Sequence, residues 1–117
     1  MSTSIWDTCT SQCWDIARCI SQFSNDKHRY IGSSKWECFD NGEWKLDKHQ
    51  HQFINFIRTE IAGQVLNRAI FFQKQTEMDR FDRDTTVLRL LTISNMVQNT
   101  KDIKAIITHA REFAAAD

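Results

Sequence analysis

The chain has 117 residues and a mass of 13.8 kDa, which is room for one small domain and too little for a Rossmann or barrel enzyme or an ATPase motor. Fifteen Lys and Arg balance fifteen Asp and Glu, and 41% hydrophobic with 26% charged residues is an ordinary folded composition. No excess positive field therefore drives non-specific binding to nucleic acid or membrane. Proline is absent and the only glycines are Gly32, Gly42 and Gly63, so long helices with short connections are expected and glycine-cradled phosphate loops are excluded. The start MSTSIWDTCTSQ has no basic leader. No apolar run reaches the roughly 18 to 20 residues of a membrane span, so an intracellular, soluble protein is expected, with no membrane partner.

From about residue 4 to 24, Ile5, Cys9, Cys13, Ile16, Ala17, Ile20 and Phe23 recur at three- and four-residue spacing, which predicts one helix with an apolar stripe. Ser2, Thr3 or Ser4 is its candidate cap, and Ser24-Asn25-Asp26 its stop. The segment YIGSSKWECFDNGEWKLD, Tyr30 to Asp47, predicts a short β-hairpin at about 30–47. Asn41-Gly42 is its turn, because both residues accept positive φ. A two-residue turn sets Phe39 opposite Trp44 with Glu37 and Leu46 on the same side, and Trp36 and Cys38 facing the other way.

From about Lys48 the pattern is helical to about Gln75, through Phe53, Phe56, Ile57, Ile61, Val65, Leu66, Ala69, Ile70 and Phe72. Gly63 inside it is read as a place of close approach. Residues 78–86, MDRFDRDTT, are the expected connection. Asp84 or Thr85 then caps a helix facing inward with Val87, Leu88, Leu91, Met96 and Val97, and Asn99 or Thr100 caps the last, with Ile103, Ile106, Ile107, Ala110 and Phe113 inward. The expected fold is mainly α: a single domain of about four helices packed as a small bundle, with one β-hairpin inserted after the first.

Four cysteines (Cys9, Cys13, Cys19, Cys38) and four histidines (His28, His49, His51, His109) lack the paired, tightly spaced arrangement of structural zinc sites. They read as small buried apolar groups of a reduced protein and as polar groups at a helix start. Asp79, Asp82 and Asp84 alternate with Arg80 and Arg83 without a calcium-loop pattern. No catalytic constellation is visible, so no enzyme, metal or cofactor is expected. Basic residues gather in the second half, and Lys101, Lys104 and Arg111 fall on the polar side of the last helix. Together with Arg89 and the hairpin tryptophans Trp36 and Trp44, they form the candidate surface for DNA or a protein partner. A merely solvated polar face is the plain alternative.

The block KWECFDNGEWKLD, an aromatic strand, a polar turn, Trp44 and then an acidic residue opening a long helix, resembles the helical domain that precedes the superfamily 3 helicase core in poxvirus-like and satellite-phage primase-helicases. Trp36, Phe39, Asp40, Trp44 and Asp47 match that family's hairpin, Ile16, Ala17 and Ile20 its leading helix, and Ile103, Ala110 and Arg111 its final helix. The resemblance covers about residues 13 to 115. It implies a role in replication of a virus, phage or mobile element, contacting DNA or a primase or helicase partner. The family's ATPase and priming residues are missing from this chain, so those activities do not carry over. The other readings of the sequence are a small protein-interaction module that blocks or recruits a host machine, such as a nuclease-based defence, and a self-associating virion component.

Overall fold

The computed structural model describes residues 3–114. A single 3-10 turn (Ile5–Asp7) leads into helix α1 (Cys13–Ser24), and a three-stranded sheet follows: β1 (His28–Gly32), β2 (Lys35–Asp40) and β3 (Glu43–Leu46). A second 3-10 turn (Lys48–Gln50) opens a continuous helical run made of α2 (His51–Phe56), a π turn (Ile57–Ile61) and α3 (Ala62–Gln73). Then come α4 (Arg80–Met96) and α5 (Thr100–Ala110). α1 packs on α5 and α3 on α4. The mainly α expectation holds, but the β element is a three-strand antiparallel meander in the order β1-β2-β3, not a lone hairpin.

The β2–β3 half follows the predicted register: Phe39 pairs with Trp44 and Glu37 with Leu46, across a turn in which Asn41 and Gly42 have φ of 51° and 81°. The added strand β1 pairs Arg29 with Glu37 and Tyr30 with Trp36, and its register breaks between Tyr30 and Gly32. Its turn, Ser33-Ser34, is left-handed at both residues without the usual Asn-Gly signature, which is why the sequence pattern does not announce it.

The first helix begins later than its apolar stripe. Ser4 does cap, its Oγ accepting from Trp6 N at 3.2 Å and its N–H donating to Asp7 at 3.0 Å, but only a 3-10 turn follows. Residues 8–12 leave the helix because their groups are claimed elsewhere. Thr10 N donates to Asp15 Oδ2 at 2.7 Å, and the Arg89 guanidinium of α4 donates to the carbonyls of Trp6 (3.2 Å), Asp7 (2.6 Å) and Cys9. The Asp7 and Cys9 carbonyls, turned toward the guanidinium, are not available to an α-helix, and the Trp6 carbonyl is shared with Cys9 N at 3.4 Å.

In the long run, buried side chains recur every fourth residue: Phe53, Ile57, Ile61, Val65 and Ala69. Each step overshoots a 3.6-residue turn by about 40°, so the seam drifts by about 160° over four steps in a pure α-helix. The wider π turn at Ile57–Ile61 takes back part of that drift and keeps the seam on the core. Gly63 has nothing within 4 Å of where a Cβ would stand, so it marks no close approach.

Helix α4 starts inside the predicted connection. Asp79 caps it, accepting from Asp82 N at 3.2 Å, and Asp84 lies beside Arg80 and Arg83 at 3.8 and 3.4 Å. The buried face of α4 is Leu90, Ile93, Ser94 and Val97, whereas Leu88 and Leu91, expected inward, are 67% and 40% exposed. Asn99 caps α5 as expected. The core joins these faces through Trp6, Ile16, Ile20, Trp36, Phe53, Leu90, Ile103 and Ile106. Among the described residues no helix is long and apolar enough to cross a membrane.

Arg89 tests this account of the entry segment. Arg89→Met, which keeps the aliphatic stem, leaves the Asp7 and Cys9 carbonyls without the guanidinium and is expected to lower the free energy of unfolding by about 2 kcal/mol or more. Arg89→Lys keeps the charge without the planar fork and recovers only part of it. Urea unfolding reads both; a midpoint unchanged in Arg89→Met refutes the clamp.

Candidate nucleic-acid interface

The junction between sheet and bundle is built around Asp47, which is 3% exposed. Its backbone N–H donates to Trp36 O at 2.9 Å, tying it to β2. Its carboxylate accepts from the backbone N–H groups of Gln52 (2.8 Å) and Phe53 (3.0 Å). An ordinary N-cap reaches two or three residues ahead; here the reach is five and six. The intervening chain loops outward to allow it, with His49 and Gln50 left-handed at φ 58° and 56°. Left-handed residues other than glycine are strained by about 1–2 kcal/mol each. The strain is supported by a contact to the other unusual turn, where Gln50 Nε2 donates to Ser34 O at 3.2 Å.

The outward loop shapes a recess of about 450 Å³ lined by Ser34, Lys35, Leu46, Lys48, His49 and Lys104. Its three lysines come from β2, the 3-10 turn and α5. All three are exposed, and among the described residues none has a carboxylate partner. The acid among them, Asp47, is turned inward on the α2 amides. Next to the recess lie a smaller one of about 280 Å³ bounded by Arg58, Thr100 and Lys104 and an open cleft of about 850 Å³ between sheet and α2, lined by His28 and by charges of both signs, Lys27 and Lys45 with Asp40 and Glu60. The three recess lysines, without carboxylate partners and converging from separate elements, are suited to phosphate oxygens.

The residues singled out from the sequence fall into different places. Trp36 is 1% exposed and tilts against Phe53 at 4.7 Å, so no base reaches it without opening the core. Trp44 is half-buried on the outer sheet face, with the Arg29 guanidinium 4.3 Å from its ring centre. Arg89 is occupied by the entry-segment carbonyls, which makes it structural. Lys101 and Lys104 are exposed, but only Lys104 lines the recess. Arg111 lies 5.2 Å over the Tyr30 ring and donates to Ser34 Oγ at 3.3 Å, bracing the Ser33-Ser34 turn rather than reaching outward. Lys35 and Lys48 escaped the sequence reading, because neither belongs to a periodic basic face. The only signal was Lys48 following the acidic residue that opens the long helix.

The cysteines are all free, and among the described residues no three His, Cys, Asp or Glu side chains are grouped as a metal ion requires. Cys9 and Cys19 are buried next to each other; a hydrogen bond to Cys19 and burial both push the Cys9 thiol up. Burial opposes ionisation of Asp7, but Arg68, which donates to it at 2.6 and 2.8 Å, and the Ser4 amide hold its carboxyl below 3.8. Comparison with protein-family models, curated proteins and solved structures returns no match.

His28, on the cleft wall, is 6% exposed and stacked 4.7 Å from Phe53. Its Nδ1 has no hydrogen-bond partner. Burial lowers its pKa from 6.5, against the pull of Asp47. The folded protein therefore takes up this proton only at a lower pH than the unfolded chain does. Between 6.5 and that lower folded value, stability falls as pH falls. The lowered carboxyls of Asp7 and Asp15 act only below their ordinary 3.8, so the two effects separate. Thermal unfolding is expected to drop as pH is lowered from 7 toward 5, and His28→Phe to flatten that drop. An equally steep profile in the variant refutes the assignment.

Proposed function

We propose that this protein is a non-catalytic, nucleic-acid-binding module that holds a phosphate backbone in the recess between the sheet and α5. The observation that carries this reading is the convergence of Lys35, Lys48 and Lys104 on one recess with no carboxylate partner, around a strained turn that presents Lys48 and His49. Strain retained in a surface loop points to a job for that loop. The sequence resemblance to the domain preceding the superfamily 3 helicase core supports setting the module beside a primase or helicase in the replication of a virus, phage or mobile element, with DNA as its ligand.

A second reading has its own support. Phe81, Leu88 and Leu91 are 77%, 67% and 40% exposed and follow one another at heptad-like spacing on the face of α4 opposite its buried residues. Such a seam suits a protein partner, as in a module that inhibits or recruits a host machine. In that reading Leu88→Asp abolishes a complex that forms without nucleic acid.

Fluorescence anisotropy of a labelled DNA oligonucleotide separates them. Lys48→Glu combined with Lys104→Glu is expected to weaken binding at least tenfold at about 50 mM salt and to reduce the slope of log affinity against log salt by between about 1 and 2. Lys101→Glu, outside the recess, is expected to have a smaller effect. Affinity unchanged in the double variant refutes the recess as the site.

A further inference from the structure

We infer that the outer face of the sheet is a stacking platform for single-stranded DNA whose backbone is anchored in the lysine recess; the inference rests on the phosphate-binding reading above and names its ligand. The strand register divides the sheet cleanly. Tyr30 and Trp36 face the core, while Arg29, Glu37, Phe39, Trp44 and Leu46 face away from it. Phe39 and Leu46 are 45% and 59% exposed, and the Phe39 ring meets Trp44 edge-on at 5.3 Å. The polar groups within this face are mutually satisfied: Arg29 donates to Glu37 at 2.8 Å and lies over Trp44. What remains is an apolar, partly aromatic surface beside a guanidinium plane, the combination on which unpaired bases stack.

Two features of the molecule say what covers the face. It is continuous with the recess, because Leu46 belongs to both. Lys35 precedes Phe39 by four residues on the same strand, about 13 Å at the rise of a β-strand, so a backbone held at Lys35, Lys48 and Lys104 lays its next bases toward Phe39 and Trp44. The charge is complementary at the anchored end, and at the far end Asp40 and Glu43, both close to Lys45, close the track. A duplex hides its bases from such a face. Glu37, the carboxylate on the platform, is occupied by Arg29, so no free group there contacts a 2′-hydroxyl and nothing in the face favours RNA over DNA.

The test uses the full chain with labelled oligothymidine of about 20 nucleotides, a duplex of equal length and oligouridine, at about 50 mM salt. The expected result is tighter binding of oligothymidine than of the duplex, with oligouridine bound no more tightly than oligothymidine. Phe39→Ala, at an exposed position outside the recess, weakens oligothymidine by about tenfold and leaves duplex binding unchanged, and Leu46→Ser, at the border of face and recess, weakens oligothymidine as well. Tryptophan emission falls on binding, and Trp44→Phe removes that fall while keeping most of the affinity. Duplex bound as tightly as oligothymidine, or oligouridine bound more tightly, overturns the proposal, as does an unchanged oligothymidine affinity in both face variants. If all three are bound alike and lost only with Lys48→Glu and Lys104→Glu, the platform falls and the recess stands. If the unaltered protein binds none of them, both fall.

Discussion

The buried carboxylate of Asp47 does two things at one point in the chain: it ends the sheet and it starts the long helix. A charge this buried is tolerable only when its oxygens are fully engaged, and here they take the first amides of α2 across a five- and six-residue reach. That reach forces the chain between them to bulge. The bulge cannot be right-handed helix, so His49 and Gln50 adopt left-handed backbone, and Lys48 and His49 are carried to the surface. The recess is thus a geometric consequence of how the sheet is joined to the bundle, not a separate decoration of its surface.

The sheet in turn needs the bundle. Three short strands hold little on their own, and what docks them is the aromatic inner face: Trp36 against Phe53, with His28 stacked on the same phenylalanine. Phe53 is also the residue whose amide Asp47 caps. Core packing, helix start and sheet docking therefore meet within one side chain of each other. From the opposite direction, Tyr30 N donates to Ala114 O at 2.7 Å, and Asn25 Nδ2 donates to Phe113 O at 3.0 Å. The chain after α5 closes over the start of the sheet, which sets α5 and its Lys104 beside the Ser33-Ser34 turn.

Sequence reading found what depends on local pattern. The β2–β3 register follows from Asn41-Gly42 and alternation alone, and α5 from Asn99 and its isoleucine spacing. It failed where a distant group outbid the local preference. Arg89 is 80 to 83 residues from the carbonyls it holds, and no periodicity near Cys9 shows that the stripe from Ile5 is interrupted. On α4 the apolar residues occupy two opposite faces, so the pattern could not tell Leu90 from Leu88. Of the candidate site, Lys104 and Trp44 were legible as a basic helix face and a hairpin aromatic. Lys35 and Lys48 were not, because their significance arises only when Asp47 folds the loop between them and α5. Trp36 was misplaced for a related reason: a ribbon with apolar residues on both faces does not reveal which side the bundle takes.

A chain with no net charge is at first sight a poor ligand for a polyanion. The relevant quantity, however, is the field within reach of the phosphate. At 0.1 M salt exposed charges are screened over about 10 Å, and the molecule is 47 Å along its longest axis, between four and five such lengths. Distant carboxylates scarcely count. The acid that lines the recess, Asp47, is held by helix amides, and on the sheet Glu37 is paired with Arg29 while Asp40 and Glu43 share Lys45. Elsewhere Asp7 and Asp15 are spent on Arg68 and Arg18. Balanced totals thus conceal a local imbalance: acids such as Glu60 and Glu112 are also without an ion-pair partner among the described residues, but neither lines the recess that Lys35, Lys48 and Lys104 share. That asymmetry, not the overall charge, is what a phosphate backbone meets.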